Sequence, residues 1–139
     1  MSSIAENKAV VAEMDAIGNG SGDLSRLDAL CAVDLINHAL APDRPQGIEG
    51  TRQFLVAARR TEHPGRWTES IVVAEGDIVV QFGRRELHWP GGPFRGFDLA
   101  TGTCTRYVAF AYRLHDSRIT ERWAIRDDLA MIRQLGTGS

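Results

Sequence analysis

The spacing of apolar residues changes once along this chain, from helical in the first third to alternating in the second half. Val10, Val11, Met14 and Ile17 recur at helical spacing, and Ile4 lies two turns earlier on the Val11 face. Ser3 and Glu6 stand at the separation of a capping box, and the run GNGSG at 18–22 stops this first helix. Leu24, Leu27, Leu30 and Cys31 share one face of a short second helix. Residues 34–47, DLINHALAPDRPQG, are polar and broken by prolines, which predicts a connector. A third helix is expected over 48–60, with Phe54, Leu55 and Ala58 facing inward.

From residue 67 onward the pattern favours strands, at 67–76, 77–89, 104–114 and 118–126. Turns are expected at Gly76 and Asp77 and again at 115–117, and the glycine- and proline-rich segment 90–103 reads as a lid or rim. The tail from Asp127 begins a short terminal helix. Helices followed by an antiparallel meander predict an α+β fold with the helices packed on one face of a curved sheet. A pocket between the two layers is the natural place for a small ligand. Apolar residues on both alternations in SIVVAEG and YVAFAYRL suggest that the other sheet face is buried as well, as in a homodimer.

A length of 139 residues suits a single domain over 1–139. The formal net charge is -2, which gives no electrostatic reason to expect nucleic acid or an anionic membrane as partner. No apolar run reaches the roughly 20 residues that span a bilayer. The start MSSIAENKAVV lacks the basic and apolar regions of a secretion signal, so a cytoplasmic protein is expected. Cys31 and Cys104 are isolated and fit buried reduced thiols.

The C-terminal run RITERWAIRDDLAMIRQLG carries Ile119, Glu121, Trp123, Asp127 and a final Gln134-Leu135-Gly136 in an order that resembles the SnoaL-like polyketide cyclases. Asn37-His38, the element Gly47-Ile48-Glu49-Gly50 and His88 before a glycine-rich loop agree with that family in order and spacing. The resemblance implies a cone-shaped α+β barrel of the nuclear-transport-factor-2-like fold, a homodimer, and a cavity for a small aromatic polyketide.

In ring-closing members of that family an aspartate on the last strand acts as general base, helped by a histidine on the strand before. The matching positions here are Ala124 and Phe110, neither of which moves protons. Positioned proton transfer contributes about 10²–10⁴-fold to rate. The departure favours the divergent branch that resembles anthracycline hydroxylases. That branch implies hydroxylation without a tightly bound cofactor, alongside a separate reductase. An aldol cyclase with a substitute base and a non-catalytic dimeric ligand-binding module are the other readings.

Strand alternation puts Arg106, Val108, Phe110 and Tyr112 on one face, and Thr120, Arg122, Ala124 and Arg126 on one face of the next strand. Arg122 and Arg106 are candidates to stabilise a phenolate or enolate, or else form structural ion pairs with Asp127, Asp128 or Glu86. Asp127 is either an acid–base group and clamp on Arg122, or a helix cap beside Asp128. His88 is either a proton shuttle or a solvent-edge residue. Asn37 and His38 line the pocket mouth or order the connector, and Trp123 stacks on substrate or serves as packing. His63 and His115 look like surface turn residues. No two histidines have metal-ligand spacing, and no metal is expected.

Overall fold

The computed structural model describes residues 3–61 and 63–136, and only the backbone at 60, 61, 63 and 64. The His63 side chain therefore lies outside the described residues. Helix α1 spans Ile4–Gly18 and is capped by Ser3, whose side chain accepts the Glu6 N–H at 3.1 Å. It buries Val11, Met14 and Ile17, as the spacing predicts. A 3₁₀ turn, Leu24–Arg26, leads into the single-turn helix α2, Leu27–Leu30.

Here the chain departs from the sequence reading. Cys31 does not continue a helix; it opens strand β1, Cys31–Asn37, where a polar connector was expected. This strand pairs in parallel with the last strand, and its register shifts between Cys31 and Ile36. The irregularity spoils the two-residue period that would reveal a strand. Helix α3, Gly47–Thr61, follows, and then β2 (His63–Glu75) and β3 (Ile78–Trp89). The expected rim holds a small hairpin, β4 (Gly92–Phe94) with β5 (Phe97–Leu99). Strands β6 (Gly102–His115) and β7 (Arg118–Arg126) are joined by Asp116 and Ser117, both at positive φ, the geometry of a tight hairpin turn. Helix α4, Asp128–Leu135, ends the described chain.

The five-stranded sheet runs β1-β7-β6-β3-β2. The α+β architecture is the one expected, but the sheet is open rather than closed into a barrel: β1 and β2 are its edges. Cross-strand register sorts its residues into rows. On the inner face Ala74, Val79, Tyr112 and Arg122 form one row, and Val72, Gln81, Phe110 and Ala124 the next. On the outer face Ile71, Phe82, Ala109 and Ile125 lie beside Val73, Val80, Ala111 and Trp123.

The main core joins the inner face to α1, α2 and α3 through Val11, Ile17, Leu27, Leu55, Val79 and Ile119. A second cluster packs α4 onto the sheet through Met131, Leu135, Leu87, Leu99 and Cys104. Both cysteines are buried and unbridged. Among the described residues no helix is long and apolar enough to cross a membrane.

Two bulges decide which side chains face inward. A register shift between Trp67 and Glu69 makes Trp67 the partner of Arg85, which turns the indole to the inner face. A second shift beyond Arg113 brings Ile119 opposite Leu114 and leaves Thr120 out of the alternation, bonded to the Arg113 carbonyl at 3.2 Å. Thr120 is thus not on the cavity side with Arg122, contrary to the simple alternation.

Candidate functional site

Between the inner face and helices α1 and α3 lies a cavity with about 80 Å³ of water-accessible space. Its apolar wall includes Met14, Phe54, Leu55, Val108 and Phe110. Its charged lining is lopsided among the described residues: Arg59, Arg85, Arg106, Arg122 and Arg126 against the single carboxylate Asp15.

Each arginine is held differently. Arg59 on α3 donates to the carbonyls of Ile17 at 3.1 Å and Gly22 at 2.9 Å, where the chain leaves α1. Arg106 on β6 donates to Asp128 Oδ1 at 2.7 Å, and Asp128 Oδ2 also pairs with Arg95 Nε at 2.5 Å. Arg85 on β3 lies 3.6 Å from Asp15 Oδ1 and 4.8 Å from the Trp67 ring centre. Arg122 on β7 sits over Phe110 at 4.9 Å and Tyr112 at 5.7 Å. Its Nε is buried without a hydrogen-bond partner. Arg126 lies over Phe110 and Phe54, at 5.3 and 5.9 Å.

Asp15 is fixed by the Trp67 indole, whose N–H donates to Oδ1 at 2.9 Å. Trp67 in turn meets Phe110 edge-on, with ring centres 5.7 Å apart. Asn37 at the end of β1 donates to Thr51 Oγ1 at 3.0 Å and accepts the Ala39 N–H at 3.0 Å. Those two bonds set the orientation of the amide. Both Asn37 and Thr51 line the cavity and are buried.

The structure brings Arg106, Phe110, Tyr112, Arg122 and Asn37 together at the cavity, as the alternation and the connector motif suggested. It places the other four candidates elsewhere. Asp127 is exposed and caps α4, its side chain accepting the Ala130 N–H at 3.1 Å. Its neighbour Asp128 takes the ion pair instead, so the expected clamp between Asp127 and Arg122 does not form. His88 falls on the outer side of β3, its Nδ1 3.4 Å from Thr103 Oγ1. Trp123 lies on the outer face, stacked with His38 at 5.2 Å. His38 Nε2 reaches Glu121 Oε2 at 2.6 Å, and that bond together with Arg113 holds the Glu121 carboxyl below its ordinary pKa. For Trp123 and His88 the reason is parity: beyond the register shift, odd positions on β7 point away from the helices, as do even positions on β3.

Sequence reasoning missed Asp15, Arg59, Arg85 and Thr51. Asp15 had a visible signal, since it stands four residues after Val11 on the apolar stripe of α1. Arg85 likewise shares its alternation with Val79, Gln81 and Leu87. Among the described residues no three histidine, cysteine or acidic side chains converge as a metal site would require.

Phe110 and Ala124 are direct cross-strand partners on the inner face. The family model of the SnoaL-like polyketide cyclases matches residues 8–135. The chain belongs to the SnoaL-like polyketide cyclase family. Membership places it among polyketide-modifying enzymes. Solved structures of this SnoaL-like fold agree over nearly the full length. TsrD of Streptomyces laurentii is 22% identical with a TM-score of 0.80, covering 99% of this chain and 100% of its own. AclR of Streptomyces galilaeus, a candidate hydroxylase, is 18% identical with a TM-score of 0.75, covering 99% and 100%. A SnoaL-like polyketide cyclase of Agrobacterium tumefaciens is 18% identical with a TM-score of 0.76, covering 98% and 100%. At these identities the likeness speaks for the fold. No curated protein matches the chain.

Proposed function

We propose that this SnoaL-like chain hydroxylates an acidic aromatic polyketide, using molecular oxygen and electrons from a separate reductase. The observation that carries the reading is the Phe110–Ala124 pair on the inner sheet face, where ring closure by aldol condensation would need a base and its helper. Phenylalanine and alanine offer neither. The cavity instead presents guanidinium groups, which favour the electron-rich phenolate of a substrate over its neutral form. Phe110 and Phe54 contribute aromatic wall for a planar ring system, and Asp15 is placed to accept the phenol proton. In the reaction one oxygen atom enters a ring C–H bond as hydroxyl. The other leaves as water, with two electrons and two protons from the reductant. The test combines purified chain, an anthraquinone-type polyketide, a reductase with its reductant, and ¹⁸O₂. One labelled oxygen in the product is expected, and an unlabelled substrate after long incubation overturns the reading.

A second reading is favoured by Asp15 itself: an aldol cyclase whose base has moved from the last strand to α1. It predicts ring closure of an open polyketide methyl ester, abolished in Asp15→Asn. In either case a homodimer through the outer sheet face is part of the proposal. Ile71, Val73, Phe82 and Ile125 are exposed there in two apolar rows. The flanking rows carry Glu69 and Arg84 at one side, Arg113 and Glu121 at the other. A second copy related by a two-fold axis can bury the apolar rows and meet charges of opposite sign. Sedimentation as a monomer at micromolar concentration would contradict this.

A further inference from the structure

We infer that Arg122, with the Asn37 amide beside it, is the anchor for an anionic oxygen of the ligand, so that the substrate is bound through an aromatic carboxylate or phenolate. This rests on reading the cavity as the substrate site, but not on hydroxylation as the reaction.

Positive charge gathers around one ring of the cavity. The guanidinium carbons of Arg122, Arg126 and Arg85 lie 4.9, 5.3 and 5.9 Å from the centre of Phe110. The lone carboxylate of the lining, Asp15, sits at the Arg85 end. Asp128 serves Arg106, and backbone carbonyls serve Arg59. For Arg122 the described residues supply no carboxylate within ion-pair distance, and its Nε is buried without an acceptor, although the residue is only 8% exposed. A buried cation without a counter-charge is costly, and aromatic faces offset that cost only in part.

The surroundings suit an acid group. A guanidinium offers a planar fork of donors that matches a carboxylate. Asn37 is the cross-strand partner of Arg122, and its Nδ2 spends one hydrogen on Thr51 and keeps a second. The same cavity wall carries Phe54, Phe110 and Tyr112, so the rest of the ligand meets aromatic surface. The two candidate arginines are thereby separated: among the described residues Arg106 has a carboxylate partner in Asp128, whereas Arg122 has none.

The test is binding, measured by calorimetry with the full chain. Anthraquinone-2-carboxylate is compared with its neutral carboxamide, which has nearly the same shape. The acid is expected to bind about 10- to 100-fold more tightly, the usual span for a hydrogen-bonded charged group. Arg122→Gln and Arg122→Met are expected to erase that preference, Arg122→Lys to restore part of it, and Arg66→Gln at the surface to leave it intact. Circular dichroism checks that each variant is folded. A hydroxyanthraquinone, whose colour reports its ionisation, distinguishes the two sources of the anion. A phenol acidified on binding extends the site to phenolates, and an unchanged phenol restricts it to carboxylates. Equal affinity for acid and amide, binding of neither, or a preference that survives in folded Arg122→Gln and Arg122→Met overturns the assignment. Absence of labelled oxygen in the product would leave this result untouched, so the two ideas fail separately.

Discussion

Arg113 and Arg122 stand on neighbouring strands of one sheet, on opposite faces. Arg113 reaches outward to Asp77 at 3.0 Å and Glu121 at 3.3 Å, which hold its pKa above the usual arginine range. Arg122 points inward, is almost wholly shielded from solvent, and has the faces of Phe110 and Tyr112 rather than a carboxylate against its guanidinium among the described residues. The outer face pairs its charges where water would have screened them anyway, which contributes little. The inner face leaves a charge unpaired where pairing matters most. A position that raises the energy of the empty fold points to a role once a ligand is bound.

The contrast can be broken by substitution. The largest effect is expected from Asp128→Ala, which strands the 5% exposed Arg106 side chain without its partner. Removing one member of a buried pair costs about 3–5 kcal/mol, readable as a lower midpoint in urea. Arg122→Met should act in the opposite sense and raise stability by about 1–4 kcal/mol, because a buried charge gives way to an apolar chain of similar reach. If Arg122→Met destabilises as Asp128→Ala does, Arg122 has a partner that the structure does not show. Asp127→Ala removes the cap of α4 and should cost about 1 kcal/mol while ligand affinity stays unchanged. A loss of affinity there would return Asp127 to the candidate site.

The smallest effects concern the outer charges and a thiol. Arg113→Gln should leave the urea midpoint within error, at low as at high salt. Burial pushes the Cys31 thiol from 9.0 to about 11, and the nearby Arg122 charge works against that rise. A folded-state pKa above the unfolded one means that the contribution to stability is complete below pH 9.0 and fades as pH climbs towards 11. Cys31 should therefore resist iodoacetamide at pH 8, and Arg122→Met should make it more resistant still in the alkaline range. Faster labelling in that variant would mean that the Arg122 charge does not reach the thiol.

The fold was readable where periods are regular. α1, α3 and the strands β3 and β6 follow from spacing, because each buries one face, and β7 follows the same period once past its register shift. β1 was not readable, since its register shift and its exposed Val33 and Ile36 hide a strand that is apolar on no single side. Parity on β6 correctly selected Arg106, Phe110 and Tyr112 for the cavity. Asp127 and His88 are candidates by chemistry alone, and the backbone directs neither of them into the cavity. Asp127 and Asp128 are adjacent and alike in type, and only the turn of the backbone into α4 decides which of them reaches Arg106. The unpaired state of Arg122 lay beyond any sequence reading, because it depends on what every neighbouring element does not contribute.

The kink at Thr68 has a bearing on how this chain tolerates insertions and deletions. It works like a frameshift within a strand: upstream of it the odd residue Trp67 faces the helices, downstream the even residues Ser70, Val72 and Ala74 do. Excising Thr68 would straighten the strand and leave Trp67 opposite Arg85, whereas a Thr68 drawn into the ladder would take the place of the indole there and turn Trp67 outward. A protein engineer can therefore trim this strand at the bulge and keep the cavity wall, whereas padding the ladder there by one residue would exchange which side chain faces the helices.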